Sequence, residues 1–211
     1  MIFDMDGVIF DTERMYQKAL HLAVEGAGVN ISREDLLKTV GLSWADCRHM
    51  LERMYAQHIA IDDLIESWLS RFDMLTAAGL PIKTGLLEML DALDQLSLPY
   101  AIATSAYHED AARNLNAHNI AHRFQTVVAL GDCEATKPAP DPFLLAAERL
   151  KVHPSCCLAI EDSTHGVRSA SDAGMMTVMI PDTVPAGPQE IELCVMVARD
   201  LHEVRAMLMG G

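Results

Sequence analysis

Short apolar runs recur along this chain with helix-length stretches between them, and that alternation leaves few folds open. The runs are Ile2-Phe3, Tyr100-Ala101-Ile102-Ala103-Thr104, Thr126-Val127-Val128-Ala129-Leu130, Leu158-Ala159-Ile160, Thr177-Val178-Met179-Ile180 and Val195-Met196-Val197. Helical patterns lie between them over 84–96, 108–118, 164–173 and 201–208. A further helix opens at Asp141-Pro142-Phe143, with Asp141 read as N-cap and Pro142 in the first turn. Continuous apolar strands alternating with helices predict a parallel sheet covered on both faces. The expected fold class is therefore α/β, a Rossmann-like parallel sheet flanked by helices. Such sheets bind ligands at the carboxyl ends of their strands.

One stretch breaks the alternation. From Thr12 onward the sequence is helical, with Met15, Ala19, Leu22 and Ala23 on one side until Gly26 and Gly28 end the run. Ser32-Arg33-Glu34-Asp35 has the shape of a capping box, and Ser43-Trp44-Ala45-Asp46 resembles one. A third helix covers 61–78, stopped by Gly79 and Pro81. No strand pattern occurs there. The expected division is an α/β core over 1–11 and 83–211, with a small all-helical cap over 12–82.

The strand ends carry the chemistry-bearing residues. Ile2-Phe3 runs directly into Asp4, Asp6 follows, and Gly7 lets the backbone turn away. Two carboxylates brought together repel each other unless a cation or a shared proton intervenes. The second strand ends in Thr104 and Ser105, the fourth in Glu161 and Asp162, and Lys137 sits in Ala135-Thr136-Lys137-Pro138. Each has a plainer reading. Asp-Met-Asp-Gly could be only a turn, Thr104 could cap the next helix, Lys137 could be a solvated loop lysine, and Glu161-Asp162 could cap a helix beginning near Ser163. His165 beside them reads as a loop or helix-surface histidine.

Charge and composition narrow the partners. The formal net charge of −14 repels nucleic acid and anionic lipid, so neither is an expected partner. No apolar run approaches the roughly 20 residues needed to cross a bilayer. The five cysteines, Cys47, Cys133, Cys156, Cys157 and Cys194, show no zinc or C-x-x-C spacing. Cys156 and Cys157 fall inside what reads as a buried strand. Reduced thiols in a cytoplasmic protein are the expectation, with a monomer or weak homodimer as the assembly.

The four segments together resemble the haloacid dehalogenase superfamily, whose four motifs occur in this order. The matching runs are Asp-Met-Asp-Gly-Val, Ala-Thr-Ser, Lys-Pro-Ala-Pro-Asp-Pro and Glu-Asp-Ser-Thr-His-Gly-Val. The resemblance implies Asp4 as nucleophile, forming an aspartyl-phosphate, and Asp6 as the acid and then base. It implies Mg²⁺ held by Asp4, the Asp6 carbonyl and Asp162, with Glu161 at the metal or supporting Lys137. Thr104, Ser105 and Lys137 would bind the phosphoryl group.

Asp6 separates phosphate-ester chemistry from the dehalogenases and phosphonate-cleaving members, which lack it. A helical cap between the first two motifs is that of the small-metabolite phosphatase and β-phosphoglucomutase branch. Mutases there place an arginine after a Gly-x-Ser turn and a lysine after the second motif. This chain has Gly41-Leu42-Ser43-Trp44 and Tyr107-His108 instead. The resemblance therefore implies a Mg²⁺-dependent phosphatase of a small phosphorylated metabolite, a sugar phosphate or nucleoside monophosphate. A phosphosugar mutase and a phosphoacceptor signalling domain are the alternatives. Trp44 could stack on a sugar or base face, or be buried in the cap.

Overall fold

The computed structural model describes residues 1–40, 42 and 44–210. Contacts between backbone positions divide the chain into two compact units, Met1–Asp11 with Pro81–Gly211, and Thr12–Leu80. Pro81 and Ile82 thus fall in the first unit. There the Asp11 N–H donates to Pro81 O at 2.8 Å, and Phe10 faces Ile82 in an antiparallel bridge.

The first unit is built on six parallel strands: β1 (Ile2–Phe3), β2 (Ala101–Ala103), β3 (Thr126–Val128), β4 (Leu158–Glu161), β5 (Met176–Met179) and β6 (Met196–Val197). Their spatial order is β3-β2-β1-β4-β5-β6, so the order reverses around β1, between β2 and β4. That reversal leaves a crevice at the strand carboxyl ends, where α/β sheets take ligands. Ile2 pairs with Ala101 and Ala159, and Phe3 with Ile102 and Ile160. The residue after Phe3 is Asp4, whose N–H donates to Ile160 O at 2.8 Å. It therefore stands level with the ends of both neighbouring strands.

Helices of the first unit follow the strand spacing: α5 (Leu86–Gln95), α6 (His108–Ala117), α7 (Asp141–Leu150), α8 (Thr164–Asp172), α9 (Pro188–Leu193) and α10 (Leu201–Leu208). The small side chains Ala101, Ala103 and Ala159 of the sheet let Phe143, Ala146 and Ala147 of α7 close onto it, together with Ala170 of α8. Burial of these apolar surfaces is the main term holding helix to sheet. α5 packs beside α10. The sheet, its parallel sense and its flanking helices are the α/β architecture the strand–helix alternation predicts.

Some local expectations are corrected. Asp141 is the first residue of α7 and Pro140 is its N-cap. Cys156 is exposed in a single turn, Pro154–Cys156, and only Cys157 is buried. α9 has no counterpart among the predicted elements.

The second unit holds α1 (Thr12–Gly26), α2 (Arg33–Leu37), α3 (Trp44–Tyr55) and α4 (Ile61–Leu75), with no strand among the described residues. Ser32 caps α2 by accepting from Asp35 N–H at 3.1 Å. α1 packs along α4 through Tyr16, whose ring stacks on Phe72 at 3.9 Å and whose carbonyl accepts from Trp68 Nε1 at 2.8 Å. Trp44 opens α3 half exposed, stacked on Trp68 at 5.5 Å, so it is not the buried residue that one reading foresaw. Gly41 and Ser43, the turn expected before it, lie outside the described residues. No helix of the described residues is long and apolar enough to cross a membrane.

Candidate active site

Asp4 leaves β1 into a turn closed on itself. Ile9 and Phe10 N–H both donate to Met5 O, and Gly7 N–H donates to Phe10 O at 2.8 Å. Gly7 has a φ of +89°, and a Cβ there would stand 2.1 Å from Asp162 Oδ2. Glycine is thus needed twice over at that position, for the backbone and for the approach of the carboxylate.

The two buried acids at the ends of β1 and β4 meet around one ammonium. Lys137 Nζ donates to Asp4 Oδ1 and to Glu161 Oε1, each at 2.5 Å. It also lies 4.9 Å from the centre of the Phe143 ring, which α7 places beneath it. Burial works against the Lys137 ammonium, but the charges of Asp4 and Glu161 outweigh it and hold its pKa above the ordinary value. Burial pushes the Asp4 carboxyl well up; Lys137 opposes that shift, while Glu161, Asp162 and Asp6 add to it.

Glu161 is fully buried and its oxygens are engaged by the protein. Oε1 takes Lys137, and Oε2 accepts from Asp162 N–H at 3.1 Å, Ser163 N–H at 3.3 Å and Ser163 Oγ at 3.1 Å. Ser163, not Glu161 or Asp162, caps α8 by accepting from Gly166 N–H at 3.0 Å. A Cβ on Gly166 would fall 1.9 Å from the Glu161 carboxyl, so the first turn of α8 leaves room for that side chain only as glycine.

Oxygens of Asp4, Glu161 and Asp162 all lie within 4.8 Å of one another. The Asp162 carboxyl is pushed up to about 8, first by burial, then by the charges of Glu161 and Asp182. Crowded hard oxygen donors, with negative charge in excess of the neighbouring ammoniums, fit a small divalent cation. Asp6 stands close enough for its charge to raise Asp4, and bridges to Phe10 in the turn.

Thr104 is buried at the end of β2 and does not cap α6, whose N-cap is Tyr107. Its Oγ1 accepts from Ala106 N–H at 3.0 Å, shaping the turn in which Ser105 is exposed. Tyr107 is exposed too, and His108 Nε2 lies 2.9 Å from Asp132 Oδ1. His165 is on the surface of α8, as the sequence suggests. Four contributors escaped sequence reasoning. Ser169 of α8 donates to Ala139 O at 2.5 Å and so pins the loop bearing Lys137. Lys83 and Asp182 form a pair at 2.5 Å beside the cluster. Only Gly166 carried a legible signal, since it lies within the Glu-Asp-Ser-Thr-His-Gly run.

Comparison with known proteins follows the same lines. The family model described as haloacid dehalogenase-like hydrolase matches residues 1–180. "Protein CbbY, plasmid" of Cupriavidus necator is 31% identical over 201 residues, covering 88% of this chain and 79% of that protein. The Drosophila melanogaster protein named "Probable pseudouridine-5'-phosphatase" is 31% identical over 193 residues, covering 86% and 80%. Among solved structures, a HAD family hydrolase from Deinococcus radiodurans with bound phosphate and sodium superposes with a TM-score of 0.85 at 21% identity, covering 99% of this chain and 94% of that one. The family match runs through all the strand ends just described, from Asp4 to Asp162. On that ground the chain belongs to the haloacid dehalogenase-like hydrolases.

Proposed function

We propose that this protein hydrolyses the phosphate monoester of a small metabolite, a sugar phosphate or nucleoside monophosphate, with Asp4 as the nucleophile. The observation that supports this most is the buried Asp4 carboxylate held by Lys137 beside Asp162 at the strand carboxyl edge. An oxygen of Asp4 attacks phosphorus, and the bond to the ester oxygen breaks as the new bond forms. Asp6 gives its proton to the departing alkoxide. It then takes one from the water that attacks the aspartyl-phosphate, returning Asp4 and releasing phosphate. Lys137 offsets charge on the nucleophile and on the transferring group. Thr104, Ser105 and the backbone of their turn bind phosphoryl oxygens.

Asp4, Asp162 and the Asp6 carbonyl would hold Mg²⁺. When bound, the cation offsets the repulsion between an anionic substrate and Asp4 and stabilises the transferring phosphoryl group. Glu161 serves here by holding Lys137 and the turn after β4, because its oxygens already accept from the protein. Trp44, half exposed on α3, offers an indole face for a sugar or base. Free cysteines throughout the described residues agree with a cytoplasmic setting.

The test is incubation with Mg²⁺ and p-nitrophenyl phosphate. Sustained turnover is expected, lost in Asp4→Asn and dependent on the added cation. A single stoichiometric phosphorylation would instead mark a phosphoacceptor domain. Asp6→Asn is expected to accumulate phosphoenzyme, with turnover down by about 10² to 10⁴-fold. Normal steady-state rates in that variant would remove Asp6 from its role.

A further inference from the structure

Asp182 belongs to none of the four motifs. It follows β5, which runs beside β4 with Met179 opposite Glu161, and the Ile180 N–H donates to Glu161 O at 2.7 Å. The chain after β5 therefore leaves the sheet at the edge where Asp162 leaves it. Asp182 Oδ1 accepts from Lys83 Nζ at 2.5 Å, and that ammonium lies 4.0 Å from Asp11 Oδ1. Asp182 Oδ2 is buried and has no hydrogen-bond partner.

A buried carboxylate oxygen without a donor is unfavourable. Lys83 accounts for one oxygen of Asp182 and leaves the other unexplained. Small divalent cations keep several waters, and those waters need acceptors from the protein around the direct ligands.

We propose that Asp182 is a positioning residue for the cation of this site, its Oδ1 fixed by Lys83 and its Oδ2 accepting a hydrogen bond from a cation-bound water. The inference rests on the reading of Asp4 and Asp162 as cation ligands. It assigns the Lys83–Asp182 pair a role in holding the ion rather than in holding the fold.

Calorimetric titration of the full chain with Mg²⁺, without substrate, tests both layers separately, circular dichroism confirming the fold of each variant. Wild-type binding that is lost in Asp162→Asn is expected; no wild-type binding would overturn the cation site itself and this inference with it. Given that binding, Asp182→Asn is expected to weaken it about tenfold. Lys83→Met is expected to weaken it as well, although that change removes a positive charge, and Lys83→Arg to restore most of it. Affinity for Mg²⁺ within about twofold of wild type in Asp182→Asn overturns the inference, being far below an outer-ligand effect. Tighter binding in Lys83→Met overturns it also, because Asp182 would then act through charge alone.

Discussion

A methyl group decides much at this site. Gly166 sits in the first turn of α8 because the Glu161 carboxyl occupies the space its Cβ would fill. Gly166→Ala must therefore push aside a fully buried carboxylate that holds both Lys137 and the Asp162–Ser163 turn. We expect a stability loss of about 1–3 kcal/mol from overpacking. Turnover should fall further, by about 10²-fold, because Lys137 loses its placement. Urea unfolding and steady-state kinetics check the two effects. Wild-type kcat in a folded Gly166→Ala would refute the coupling. The acids and Lys137 were legible in the sequence because each ends a strand or sits in a distinctive local run. Asp182 was not, because an aspartate after proline reads as a turn, and its ion-pair partner, Lys83, is far away along the chain. Trp44 was ambiguous for a related reason: one tryptophan at a helix start says nothing about which neighbour it will stack on.

At the scale of elements, the site depends on helices holding loops. The loop that carries Lys137 has no strand partner. It is fixed at one end by Phe143 in the core against β2 and β1, and in the middle by Ser169 of α8 reaching Ala139 O. Ser169→Ala leaves that carbonyl without its donor and should cost about 1–3 kcal/mol. Chemical denaturation would show it. An unchanged midpoint would mean the loop is held by other contacts. The sequence conveyed which segments become strands and, α9 apart, which become helices, but not element ends. Apolar runs such as Thr126-Val127-Val128-Ala129-Leu130 continue past the paired residues, so β3 stops at Val128. Pro140 displaced Asp141 from the cap position. α9 is too short for a period to show, and it is held by Glu190 accepting from Gly187 N–H at 2.9 Å.

For the molecule as a whole, acid crowding at the site compounds a net charge of −14. Without a cation, burial and nearby carboxylates hold the Asp162 carboxyl at about 8 in the folded protein, against 3.8 as the ordinary value. The folded chain then binds more protons than the unfolded chain between those values. Its stability from this group declines as pH rises through that window. Mg²⁺ competes with the same proton, so the gain in melting temperature on adding it should be larger near about pH 8 than near about pH 6. Differential scanning fluorimetry with EDTA-treated protein measures this. An equal or smaller gain at the higher pH would contradict the protonation argument.

The path of the backbone around residues 9–11 and 81–83 has a consequence for how such a protein can change. Asp11 N–H meets Pro81 O, Lys83 N–H meets Ile9 O, and Phe10 bridges Ile82, so departure and return are stitched side by side. The stitched doorway makes the intervening segment a cassette. Its contents can be rewritten, lengthened or traded without altering the route the polypeptide takes through the sheet.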